Sequence, residues 1–138
     1  MKTLLIVVCL MIGSLAYAQN ADLIVEVSNI STTEGKMRAS LFNSSDTYLK
    51  DAQWDADTII YNQETVRILF SNLPSGEYAI SVFHDKNNNG KLDANFMGIP
   101  TEPYAFSNNA PSRFGPAKYE EARFILSGKN LIQQITLN

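Results

Sequence analysis

The chain has 138 residues, 18% of them charged, with a formal net charge of −3 and a single cysteine. Scattered charges on a mildly acidic chain exclude nucleic-acid binding, which needs clustered Lys and Arg. One cysteine excludes a disulfide framework and a Cys-based zinc site.

The first eighteen residues read as a secretory signal. Lys2 supplies a positive start, Leu4 to Ile12 is an apolar run too short to span a bilayer, and "AYA" at Ala16 to Ala18 places small residues before Gln19. Cleavage there leaves residues 19–138 as one exported domain, periplasmic or extracellular, and removes Cys9. Without a second long apolar segment, the mature protein is not expected to span a membrane.

The remainder alternates with period two. "DLIVEVSNI" places Leu23, Val25 and Val27 on one face, and "MRASLF" does the same with Met37, Ala39 and Leu41. A Gly-containing turn joins them, which predicts an antiparallel hairpin. Residues 43–57 read as a polar connection with one helical turn near Thr47 to Ala52, anchored by Tyr48, Leu49 and Trp54. "TIIYN" and "TVRILFS" are two further strands. "NLPSGEY" is a turn, and "YAISVF" is apolar on both faces and so a central strand. "EARFILSG" and "NLIQQITLN" predict a closing hairpin about Gly128-Lys129. The sum is about seven short antiparallel strands in a two-sheet β-sandwich.

One segment breaks this rhythm. From His84 to about Lys118 the chain is rich in Asn, Gly and Pro. Connections of that length are uncommon in compact domains and are often functional. Its Phe96, Met97, Ile99, Tyr104, Phe106, Phe114 and Tyr119 predict an ordered loop packed over one end of the sandwich.

That loop opens with "HDKNNNGKLDANF". Asp85, Asn87, Asn89 and Gly90 occupy places one, three, five and six of a calcium loop; Lys91 at seven would offer its carbonyl, and Asp93 stands at nine. Place twelve calls for a bidentate Glu and holds Phe96, and a strand leads in, so this is no EF-hand. Two carboxylates imply weak affinity; Asn95, Glu102, Glu120 or Glu121 could add oxygens if the loop folds back. The competing reading is a type I′ Asn-Gly turn, with Asp85 and Asn87 bonded to nearby amides. His84, the sole histidine, is a candidate proton-transfer group or a structural residue at a strand end. Tyr104, Phe106, Asn108 and Asn109 read either as packing or as a shallow surface for a sugar or peptide.

"NLPSGEYAISVFHDKNNNGKLDANFMGIPTEPYAFSNNA", followed by "FGPAKYEEA", resembles the secreted bacterial family catalogued as domain of unknown function 2141. The resemblance covers nearly all of the mature chain. It implies an exported immunoglobulin- or transthyretin-like sandwich and assigns no activity. The expectation is therefore a non-enzymatic binding or accessory module for an envelope protein or glycan, its loop ordered by calcium. The alternatives are a small periplasmic hydrolase using His84 with Asp85 or Asp93, and a structural module with no ligand.

Overall fold

The computed structural model describes residues 19–138; the expected signal segment lies outside the described residues. Eight strands form two sheets. They are β1 (Ala21–Ser28), β2 (Lys36–Phe42), β3 (Trp54–Ile59), β4 (Thr65–Leu73), β5 (Gly76–Asp85), β6 (Tyr104–Phe106), β7 (Phe124–Leu126) and β8 (Leu131–Thr136). One sheet has the order β4-β1-β8. The other has the order β3-β2-β5-β6, with β7 pairing the start of β5. The expected β-sandwich is present, and its eighth strand, β6, lies inside the segment read as one long loop.

The period-two alternation maps directly onto burial. Leu23, Val25 and Val27 of β1 and Met37, Ala39 and Leu41 of β2 face the same interior. There they meet Val66, Ile68 and Phe70 of β4 and Ile80 and Val82 of β5 in one apolar cluster. Each large buried aliphatic side chain stabilises the fold by about 1.5–3 kcal/mol relative to exposure.

Both predicted hairpins are corrected. β1 pairs β4 and β8, whereas β2 pairs β3 and β5, so the two strands lie in opposite sheets. Their apolar faces bury each other across the interior, and residues 29–35 cross the layer, with Asn29 and Gly35 in the left-handed region. β7 likewise pairs β5, while β8 runs parallel to β1 in the other sheet. That parallel pair departs from the expectation of purely antiparallel sheets.

β3 also begins earlier than its hydrophobicity suggests. Asp55 and Asp57 point outward and bond Ser40, Lys36 and Arg38 of β2, so polar residues sit inside a regular strand. In place of the helical turn expected near Thr47 to Ala52, residues 45–50 form a run of turns, with the Asp51 amide donating to the Thr47 carbonyl and Leu49 at positive φ.

Central β5 carries β2 along Ala79 to Asp85, β6 along Ser81 to Phe83 and β7 along Gly76 to Tyr78. At Ile80, between the stretches taken by β7 and β6, a side chain stands in for a strand. The fully buried Ser107 hydroxyl accepts the Ile80 N–H at 2.9 Å and donates to the Ala122 carbonyl.

The outer face of the five-stranded sheet positions the functional region. At one end a second apolar cluster covers it: Phe42, Ala79 and Phe106 beneath Tyr48, Ala117, Tyr119 and Ala122. Phe106 and Tyr119 are buried here, and Tyr104 packs against the cluster. Phe96, Met97, Ile99 and Phe114 are exposed, so the expected packing holds at Tyr104, Phe106 and Tyr119 and fails at residues 96–99 and at Phe114. Apolar neighbours exist only where the segment runs along the sheet; its two protruding tips have none.

Candidate functional site

The Asp85 loop is built around a buried carboxylate. Asp85 closes β5 and is fully buried. Its Oδ2 accepts Arg38 Nε at 2.6 Å and the Gly90 amide at 2.9 Å, and its Oδ1 accepts the Asn89 amide at 3.0 Å. Burial alone pushes this carboxyl up. The Arg38 hydrogen bond, the Gly90 and Asn89 amides and the Arg38 charge outweigh it and hold the group below the ordinary carboxylate range. The same guanidinium donates Nη1 to Asp57 and Nη2 to Asn88, both at 3.1 Å. One cation thus ties the loop to β3.

Side chains then wind the loop from within. Asn87 Oδ1 accepts the Asn89 amide at 3.2 Å, and Asn89 Oδ1 accepts the Lys91 amide at 2.9 Å. These are Asx turns, the geometry that short amide side chains favour. Positive φ falls on Asn88 and Gly90, not on Asn89, so the expected type I′ Asn-Gly turn does not form. The predicted bonds from Asp85 and Asn87 to nearby amides do form. Gly35 seats the loop from below: a Cβ there would collide with the Asp85 carbonyl and stand 2.7 Å from that of Lys86.

Glu102 closes the loop. It is buried, and its two oxygens accept the Lys86 amide at 2.9 Å and the Asp93 amide at 3.0 Å. The beginning and the far side of the loop are held by one carboxylate. Of the four residues considered as extra oxygens, Glu102 reaches the loop core. Asn95 organises the loop tip, and Glu120 and Glu121 belong to the short helix Tyr119–Ala122.

Of the predicted calcium set, Asn87, Asn89 and Asp93 meet one another; Asp85 turns to Arg38 and the Asn89 and Gly90 amides, and Lys91 is held through its amide on Asn89 Oδ1. Asp93 Oδ2 and Oδ1 accept the side-chain amides of Asn87 and Asn89 at 2.6 and 2.8 Å. Half-turns of those two amides would bring their oxygens to the same place, but would break the bonds that Asn87 Oδ1 and Asn89 Oδ1 accept from the Asn89 and Lys91 amides. A hard cation at Asp93 could then draw on the Asp93, Asn87 and Asn89 side chains, fewer than the six to eight oxygens calcium takes. Asp85, at place one, is bonded to Arg38. Among the described residues no three His, Cys, Asp or Glu side chains form a ready metal cluster.

His84 is fully buried, and its Nε2 lies 2.7 Å from the Glu34 carbonyl. A carbonyl only accepts, so Nε2 carries the proton; Nδ1 is buried without a partner. Neither nitrogen is open to a substrate, and the pairing of His84 with Asp85 or Asp93 in a hydrolytic site has no geometric support.

Beside the loop lies an open groove of about 540 Å³ on the outer face of the five-stranded sheet. Phe83, Tyr104, Ser40 and Ser81 are among its floor residues; Leu92 and Pro100 wall one side, and Leu49 and Ala52 also line it. Lys50 and Asp55 add charge at the margin, with Ser40 Oγ donating to Asp55 at 2.5 Å. Tyr104 and Phe106, two of the four predicted ligand residues, line this groove. Asn108 and Asn109 do not. Asn108 donates to the Glu121 and Arg123 carbonyls, and Asn109 Oδ1 accepts the Thr136 amide, so both knit the long segment to β8 and the helix.

Sequence reading missed Arg38 and the groove floor. Arg38 carries a signal, a charge inside an alternating strand, but nothing local says that its partner is 47 positions away. The groove needs Ser40, Ser81 and Phe83 brought side by side by pairing between β2 and β5.

Residues 25–134 match the family described as "Uncharacterized protein conserved in bacteria (DUF2141)", and the chain belongs to that family. No curated protein and no solved structure matches the chain.

Proposed function

We propose that this family member is an exported, non-enzymatic binding module that takes a glycan in the groove on its five-stranded sheet. The groove carries the reading. Its volume falls in the range of small-ligand sites, and aromatic rings beside hydroxyls and a carboxylate suit a sugar's apolar C–H faces and hydroxyl rim. The Asp85–Glu102 loop supplies one wall and fixes its position. Binding of envelope glycans to wild type, Phe83→Ala and Tyr104→Ala by titration calorimetry tests it. Each substitution is expected to weaken binding at least tenfold without lowering the melting temperature by more than a few degrees. Wild-type protein that binds no envelope glycan, but captures an envelope protein through the same residues, would replace the ligand class.

For the loop we propose weak calcium binding at Asp93 with Asn87 and Asn89, in the range of about 10⁻⁴ to 10⁻³ M typical of extracellular modules. The Arg38 guanidinium on Asp85 favours a second reading, in which the loop's ordering cation is the protein's own. Melting curves with calcium and with chelator separate them. At about 10 mM calcium such a site adds about 1.4–2.7 kcal/mol, and Asp93→Asn should abolish that gain. No shift at about 10 mM calcium leaves Arg38 as the sole ordering cation.

A further inference from the structure

We infer that the two apolar tips beside the groove form a docking surface for an anionic lipid bilayer. The first tip is the turn Asn95–Ile99, closed by the bridge between Ala94 and Pro100. Asn95 Oδ1 accepts the amides of Met97 and Ile99 at 2.9 and 3.1 Å, and the Asn95 amide donates to the Ile99 carbonyl. This ordered backbone holds Phe96, Met97 and Ile99 out into solvent, at 97%, 65% and 54% exposure. The second tip carries Phe114, fully exposed, next to Gly115 and Pro116. Gly98 and Pro100 of the first tip line the same groove as Gly115 and Pro116, so both tips rise from one side of the molecule.

Single exposed apolar residues are ordinary; four large ones on two adjacent tips are not. Charge selects the partner. Residues 86–118 hold Lys86, Lys91, Arg113 and Lys118 against Asp93 and Glu102, a net +2 in a chain of net −3. Asp93 and Glu102 are both turned into the loop as acceptors, whereas Lys91, Arg113 and Lys118 are exposed. Glu121 lies beside Arg113 and Lys118, and Glu120 next to it is also exposed, so the excess of cations is local to the two tips and does not extend into the short helix. Protruding Phe and Met side chains, with Arg113 and Lys118 beside Phe114 and Lys91 in the same loop as Phe96, match an interface that is apolar within and anionic at its surface. A protein partner would have to supply two separate pockets for convex tips, whereas acyl chains need no preformed shape.

The test uses residues 19–138, which carry both sheets and both apolar clusters, free of the apolar run at residues 4–12 that would partition on its own. Co-sedimentation is measured with phosphatidylcholine vesicles, with and without phosphatidylglycerol. Wild type should sediment with the anionic vesicles and much less with the neutral ones. Phe96→Ser and Phe114→Ser should each lower the partition coefficient about tenfold, and Lys91→Gln about fivefold, at unchanged melting temperature. The groove variant Phe83→Ala should bind vesicles like wild type, so failure of the glycan reading leaves this result standing. Absence of sedimentation with anionic vesicles, or wild-type binding by the Phe96 and Phe114 variants, overturns the proposal.

Discussion

Arg38 Nε stands 2.6 Å from Asp85 Oδ2 and leaves no gap for solvent at a carboxylate that is fully buried. Arg38→Met removes the only positive charge bonded to that carboxylate among the described residues. The expected cost is about 3 kcal/mol, at the low end for breaking a buried pair because Arg38 itself is partly exposed. Urea unfolding checks it. Adding Asp85→Asn to Arg38→Met should recover part of the loss, since the uncompensated charge is gone.

Acid should unfold the protein through the same carboxylate. The Asp85 carboxyl in the fold is held below its unfolded value, so its contribution is present above the ordinary carboxylate value of about 3.9 and is lost as pH falls through the lower folded value. Urea midpoints followed from pH 5 downward should drop more steeply for wild type than for Asp85→Asn. Parallel curves would mean that Asp85 does not carry the acid transition.

Glu102→Gln separates the clamp from the rest of the loop. A glutamine offers one acceptor oxygen where the Lys86 and Asp93 amides need two, and it turns an N–H toward one of those donors. A loss of about 1–3 kcal/mol follows from one unsatisfied buried amide. Hydrogen exchange should accelerate at Lys86 or Asp93 and along residues 86–101, while β1 and β4 exchange as before.

Gly35→Ala tests the seat beneath the loop. Gly35 combines positive φ with contact against two carbonyls, so an added methyl group must displace the Asp85 backbone. The expected loss exceeds the ~1 kcal/mol of ordinary left-handed strain and should come with weaker protection of the Asn89 and Gly90 amides. Gly98→Ala, with positive φ but nothing within 4 Å of an added Cβ, should cost only the strain.

The sequence reveals more of the inward faces than of the pairings. Leu23, Val25 and Val27 announce a half-buried strand through alternation alone, and they are buried. Which strand lies beside them is decided by distant residues, so β1 and β2 look like a hairpin and fold into opposite sheets. The loop is legible in its residue types: Asn87, Asn89 and Asp93 meet one another, and Asp85 accepts the Asn89 and Gly90 amides. Their partners are not, because Arg38 and Glu102 reach the loop from 47 positions before Asp85 and 17 after it. Phe96 and Phe114 misled for the opposite reason. An aromatic residue implies a partner, and composition cannot say whether that partner is in the same chain.

The way β5 is flanked also bears on how the protein stays dispersed. β5 is the longest strand among the described residues and a central one, and an open flank on it would invite another chain to add itself. Its sheet ends instead in β6, only three residues long, and in β3, whose outward Asp55 and Asp57 carry charge. Ser107 ties off the Ile80 amide, a donor on which a foreign strand could begin to zip. Edge-to-edge addition, the commonest route to aggregation of a β-protein, is thereby closed at β5, and Ser107→Ala should reveal this first as precipitation during refolding rather than as altered binding.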